Sequence, residues 1–211
     1  KGTDYELDQI PSMIFEPRLI MGSLLKATEQ LTIAPYSGVG WRYKRDDSVD
    51  IITKNNFPGV NRINKSWYIP LGARFQYDVN DRWNLHGFLE YDWFVSGRQS
   101  TYRKDHIRLA RVHGGGHVPY RTTYIPSTPV YKQNNGWGAK AEVLIGYRFD
   151  KVGIAFGPYI HYWHIQKSSV MPVATRIELL DNGNVFNNPP SYSNEPNNVT
   201  KEIGLKVNFY F

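Results

Sequence analysis

The sequence predicts an all-β protein, an antiparallel up-and-down β-barrel of eight strands, and three observations predict it. Apolar and polar residues alternate with a period of two through most of the chain, which is the periodicity of strands. The connections between the alternating segments are short and long by turns. Aromatic residues, 15% of the chain, collect at the two ends of the apolar faces.

The strands follow in order. Tyr5 and Leu7 alternate in a first strand within residues 1–7, and Met13, Phe15, Leu19, Met21 and Leu25 oppose Glu16, Arg18 and Lys26 in a second, 13–26. Leu31, Ile33, Val39, Trp41 and Tyr43 mark a third strand at 31–43 with a small-residue inner face. The fourth, 66–77, sets Trp67, Ile69, Leu71, Ala73, Phe75 and Tyr77 against Tyr68, Gly72, Arg74 and Gln76, and the fifth, 83–96, continues from Trp83. Strands at 136–149 and 152–166 flank a tight connection at Asp150 and Lys151, and the last occupies 199–211. Residues 8–11, 27–30 and 78–82 make turns, the last by its Asn and Asp content. Residues 44–65, 97–135 and 167–198 are left as loops.

The 211 residues fit a single domain, 1–211, and contain no cysteine, so no disulfide scaffold or thiolate site is expected. No run approaches the ~18 apolar residues of a membrane helix. Membrane strands need only about 10 residues of alternating character. Outward positions at the loop ends are Tyr43, Trp67, Trp93, Trp137 and Tyr162; at the turn ends they are Tyr77, Trp83, Tyr147, Phe149, Phe209 and Phe211. Leu71, Ala73, Leu85, Leu89, Ala141, Val143, Ile154 and Leu205 lie between them. Two aromatic girdles around an aliphatic waist are expected of a barrel in a bilayer. A soluble sandwich also alternates but has no need to sort aromatics by height. An even strand number places both termini on the short-turn side. The segments 107–112 and 118–125, either side of three glycines, could form a hairpin above the membrane, and a ten-stranded barrel is the structural alternative.

The closing stretch 199–211, ending Asn208, Phe209, Tyr210 and Phe211, resembles the last strand of bacterial outer-membrane barrels, where a terminal aromatic is an assembly signal. As an architecture the whole chain resembles small barrels of the OmpA and OmpX type. The resemblance implies the outer membrane of a Gram-negative bacterium, short turns and both termini periplasmic, long loops extracellular, and contact with outer-membrane lipid and lipopolysaccharide. A start at Lys1 with no initiator Met fits a processed chain.

Eight strands leave an interior that side chains can fill. Glu16, Arg18, Arg42 and Arg148 point inward by parity, as do Arg74, Glu90, Asp92, Lys140, Glu142, Glu202 and Lys206, the seven taken as the core of a network. Confined charges should pair, because a buried unpaired charge is costly, so a closed, ion-paired lumen is expected. Asp92, Ser96 and His161 also share the inward parity near the loop end. They form the one candidate triad for a nucleophilic enzyme, of the lipid A acyltransferase or deacylase type found among such barrels.

Residues 97–135 carry Arg98, Arg103, Lys104, Arg108, Arg111, Arg121 and Lys132 against Asp105 alone, an excess equal to the net charge of +6 of the whole chain. With Tyr102, Tyr120, Tyr124 and Tyr131 among them, these cations suit phosphorylated headgroups, an acidic glycan or a protein partner. Nucleic acid fits the charge but not the compartment. His106, His113 and His117 do not have the spacing of a common metal motif, and Asp46, Asp47 and Asp50 read as a solvated turn, so no metal and no cofactor is expected. The expected function is non-enzymatic display of basic, aromatic-rich loops for envelope lipid, ligand or partner. The alternatives are the lipid-modifying enzyme, or a subunit of a larger envelope complex touching its neighbour through outward aromatics such as Trp93 and Trp137.

Overall fold

The computed structural model describes residues 10–49, 51, 59–111, 116–150 and 152–210. Their strands are β1 (Ser12–Phe15), β2 (Arg18–Gly22), β3 (Leu25–Lys26), β4 (Leu31–Asp46), β5 (Asn61–Asp78), β6 (Trp83–Tyr102) and β7 (His106–Arg111). They continue with β8 (His117–Ile125), β9 (Val130–Gln133), β10 (Gly136–Arg148), β11 (Gly153–Ile165), β12 (Met171–Leu179), β13 (Val185–Ser193) and β14 (Asn198–Tyr210).

One antiparallel sheet runs β1-β4-β5-β6-β10-β11-β14 and curls into a half-barrel. β1, β2 and β3 lie end to end along β4 as one interrupted strand. Pro17 causes the first interruption, since it has no amide hydrogen for the ladder; its carbonyl accepts from the Trp41 amide at 3.1 Å. The segments expected at 13–26, 31–43, 66–77, 83–96, 136–149, 152–166 and 199–211 all fall on strands of this sheet. The strand expected at 1–7 lies outside the described residues, as does Phe211.

Alternation sorts side chains between the two faces as the sequence predicts. The register carries one outward row through Ala73, Leu89, Ala141, Ile160 and Ile203 on five successive strands. The neighbouring inward row holds Gly72, Glu90, Lys140, His161 and Glu202. Buried apolar side chains, Tyr68, Phe94, Trp163 and Ile165, cluster on the concave side toward the loop ends.

Two features depart from expectation. β5 and β6 extend beyond their expected limits, and a bulge interrupts their ladder, where Trp67 faces Ser96 but Tyr68 faces Phe94. Val95 is the extra residue, and an extra residue reverses parity beyond it. Phe94 keeps the inward parity of Glu90 and Asp92, but beyond Val95 it is Gly97, Gln99 and Thr101 that are buried, while Ser96 and Arg98 are exposed. The second departure lies in the expected loops 97–135 and 167–198, which supply a separate antiparallel sheet in the order β13-β12-β8-β7. The anticipated hairpin is β7 and β8, joined by register pairs such as Ile107 with Arg121, and it pairs onward with β12. Three prolines of the second sheet take positions where a missing donor is tolerated: Pro189 and Pro190 are on the edge strand β13, and Pro172 precedes the part of β12 that pairs with β8.

Candidate functional site

The inward row and its neighbours assemble a desolvated ion-pair cluster. Lys140, on β10, sits at its centre with its ammonium against Glu16 and within 3.1 Å of Glu90 and 3.2 Å of Asp92. Arg18 donates to both oxygens of Glu90 at 2.7 and 2.8 Å, and Arg42 bridges Glu16 at 2.5 Å and Glu202 at 2.8 Å. The Glu90 and Asp92 side chains are fully shielded from solvent. Four carboxylates share three cations, so one negative charge is in excess. His161 Nδ1 lies 3.7 Å from Glu202, a charge pair only when the imidazole is protonated. The cluster joins β4, β6, β10 and β14 to the junction between β1 and β2. Buried pairs of this kind gain little net energy over an apolar core, and they fix which strand faces which.

Cross-strand glycines make room for the rings that complete the cluster. Tyr68 stands opposite Gly40 and Tyr36 opposite Gly72. A side chain at Gly40 would occupy the Tyr68 ring, and one at Gly72 would place its Cβ 2.6 Å from the Tyr36 ring. Lying flat over these glycines, the Tyr68 hydroxyl donates to Glu16 at 2.6 Å and the Tyr36 hydroxyl to Glu90 at 2.7 Å. On the loop side Trp163 meets Tyr68 edge-on at 5.1 Å, with the Arg42 guanidinium 5.3 Å above its ring. Phe94 and Ile165 finish this aromatic plug. Above it, Thr101 donates to Glu195 at 2.6 Å, and Tyr131 and Ser193 share a hydrogen bond at 3.0 Å, which tie the end of β13 and the connection after it to the curled sheet.

A cavity of about 710 Å³ has Glu16, Lys140 and Glu202 of the cluster in its wall and extends toward the short-turn end, where Arg74, His86 and Tyr210 line it. The interior is therefore packed on its loop side and open on its turn side. Of the seven charges expected to form one lumen network, Glu90, Asp92, Lys140 and Glu202 belong to the cluster. Glu142 pairs separately with Lys206 at 2.8 Å. Arg74 stands over the Tyr36 ring at 5.6 Å, with no ion pair of its own among the described residues. Glu16, Arg18 and Arg42, inward by parity in the sequence, complete the cluster, with Glu16 beside the strand break at Pro17.

The candidate triad is not assembled. Asp92 faces Lys140, His161 faces Glu202 and stacks near Tyr159 at 5.0 Å, and Ser96 points away from both on the exposed side of the bulge. No group of three potential metal ligands occurs among the described residues. His113 and Asp50 lie outside them.

The expected basic loop is divided between the two sheets. Arg98 belongs to β6 and Lys132 to β9, both on the exposed side of the curled sheet. Arg108 and Arg121 are exposed on β7 and β8, and Arg111 ends β7. Arg103, between the sheets, stands over the Tyr124 ring at 5.4 Å, and Lys104 beside it is exposed. Arg121 reaches Glu178 at 3.5 Å. The cations thus occupy two surfaces, a wall and a projecting sheet. The sequence matches no protein-family model and no curated protein.

Proposed function

We propose that this chain is a bacterial outer-membrane barrel without enzymatic activity, whose ion-paired interior holds a rigid wall and whose loop-borne strands bind envelope lipid or a partner outside the cell. The distribution of polarity carries the reading. Leu19, Met21, Ile203 and Leu205 are between 70% and 81% exposed on the convex face, whereas Glu90, Asp92 and Lys140 are buried on the concave one. Continuous exposed apolar surface of that extent calls for a partner, and hydrocarbon suits a face that is apolar on every strand. The outward Trp67, Trp93 and Trp137 near the loop ends and Tyr77, Trp83 and Phe209 near the turn ends would sit at the two interfaces.

Refolding the purified chain into phospholipid vesicles tests this. Protection of the curled sheet from protease, with cleavage confined to the loop strands, is expected; a folded monomer that remains soluble without any amphiphile would refute it. Within this reading the concave face serves as a scaffold. His161→Ala should leave the acyl composition of the outer leaflet unchanged, and a changed composition would restore the lipid-modifying alternative.

A further inference from the structure

Bulge and register together produce a row of like charges that neither the parity of the sequence nor the loop reading anticipates. Lys65 on β5 is directly opposite Arg98 on β6, and Arg98 is directly opposite Lys132 on β9. All three are exposed on the convex face. They stand one register step toward the loop end from Trp67 and Ser96, with Tyr43 continuing the row on β4. No carboxylate pairs with any of the three among the described residues, although nearby Arg45 has Asp47 at 2.9 Å.

Like charges directly opposite one another destabilise a sheet. Charged residues often guard a free sheet edge, but Arg98 is flanked by β5 on one side and β9 on the other. Two strand spacings place the outer cations about 10 Å apart, a span over which a phosphate could engage the central guanidinium fork with a lysine on either side. Just below the row the wall turns apolar and aromatic, with Trp67 and Trp93 more than half exposed.

We propose that Lys65, Arg98 and Lys132 form a phosphate site on the outer wall that takes the headgroup of an anionic lipid whose chains lie along the Trp67 and Trp93 surface. The site rests on the membrane reading, which fixes this height as the headgroup layer. It adds Lys65, outside the expected basic loop, and removes Arg98 and Lys132 from that loop.

The full chain, folded in neutral maltoside micelles, is the material for the test. Phosphatidic acid and phosphatidylcholine are added at equal mole fraction, with inorganic phosphate as the soluble arm, and bound lipid is read by native mass spectrometry beside the unfolding temperature. The wild-type chain should retain phosphatidic acid at least tenfold better than phosphatidylcholine and unfold at a higher temperature with it. K65Q/R98Q/K132Q should lose that preference, while matching or exceeding the wild-type unfolding temperature in lipid-free micelles because the repulsion is gone. R98Q should show the largest single loss. The control K26Q/R82Q/R148Q, three exposed cations at the short-turn end, should behave as wild type.

Undiminished retention by the triple variant, or equal loss in the control, would overturn the site. An equal response to inorganic phosphate would overturn its assignment to lipid. Failure of the chain to enter micelles or vesicles in folded form would instead strike the membrane reading beneath it.

Discussion

The curled sheet and the projecting four-stranded sheet display apolar side chains to nearly the same degree, Leu89 being 65% exposed on the first and Ile107 63% on the second. Their other faces differ. Behind Leu89 the neighbouring inward residue is Glu90, locked to Lys140 and Arg18. Behind Ile107 the next residue is the exposed Arg108, and cations such as Arg121 share the Ile107 face through their register. Equal exposure therefore has unequal meaning. On the curled sheet it belongs to a one-sided wall with a desolvated polar interior, and on the projecting sheet it is scattered among charges, which is ordinary for a surface.

Breaking the interior should have the largest effect. Lys140→Met removes the cation that touches Glu16, Glu90 and Asp92, and stranding buried carboxylates costs about 3–5 kcal/mol. Urea unfolding of the refolded chain should show it. Gly40→Val drives a side chain into the Tyr68 ring, with an expected loss of about 1–3 kcal/mol by the same measurement, as for other overpacked sites.

Asp92→Asn sharpens the account by its sign. Neither Asp92 oxygen accepts a hydrogen bond from the described residues, and the cluster already has one carboxylate too many. The substitution should be neutral or stabilising, the opposite of Lys140→Met at the other end of the same contact. The smallest effect belongs to the projecting sheet. Arg121→Gln breaks a half-exposed pair with Glu178 and should change unfolding by less than about 0.5 kcal/mol.

The contrast between the sheets also explains what was legible in the sequence. The central strands of the curled sheet were readable because burial differs sharply between their faces, so Leu85, Leu89 and Tyr91 against Glu90 and Asp92 leave little choice of period. β13 was read as loop because it is almost wholly exposed and carries no apolar alternation, and β12 because Pro172 and Thr175 interrupt the row of Met171, Val173, Ile177 and Leu179; Pro189 and Pro190 argued against a strand as well. The hairpin of β7 and β8 was legible from its β-forming residues around a glycine turn, but its pairing with β12 was not, since nothing local encodes a distant partner. At the candidate site parity correctly placed Glu90, Asp92, Lys140 and Glu202 inside. It failed at Ser96 because one unpaired residue, Val95, reverses every position after it without leaving a mark in composition, and Arg98, read as loop, lies on the strand beyond it. The row formed by Lys65, Arg98 and Lys132 depends on that reversal.

The account depends most on what the convex face touches. Arginine placed on the lipid side of a membrane barrel near the bilayer midplane costs about 2–4 kcal/mol, whereas an exposed substitution in water usually falls within about 0.5 kcal/mol of neutral. Unfolding free energies of Leu89→Arg and Ile107→Arg, measured side by side in phospholipid vesicles, test the claim with two positions of matched exposure. A cost of about 2–4 kcal/mol at Leu89 with almost none at Ile107 is the predicted result; indifference at both positions would contradict it.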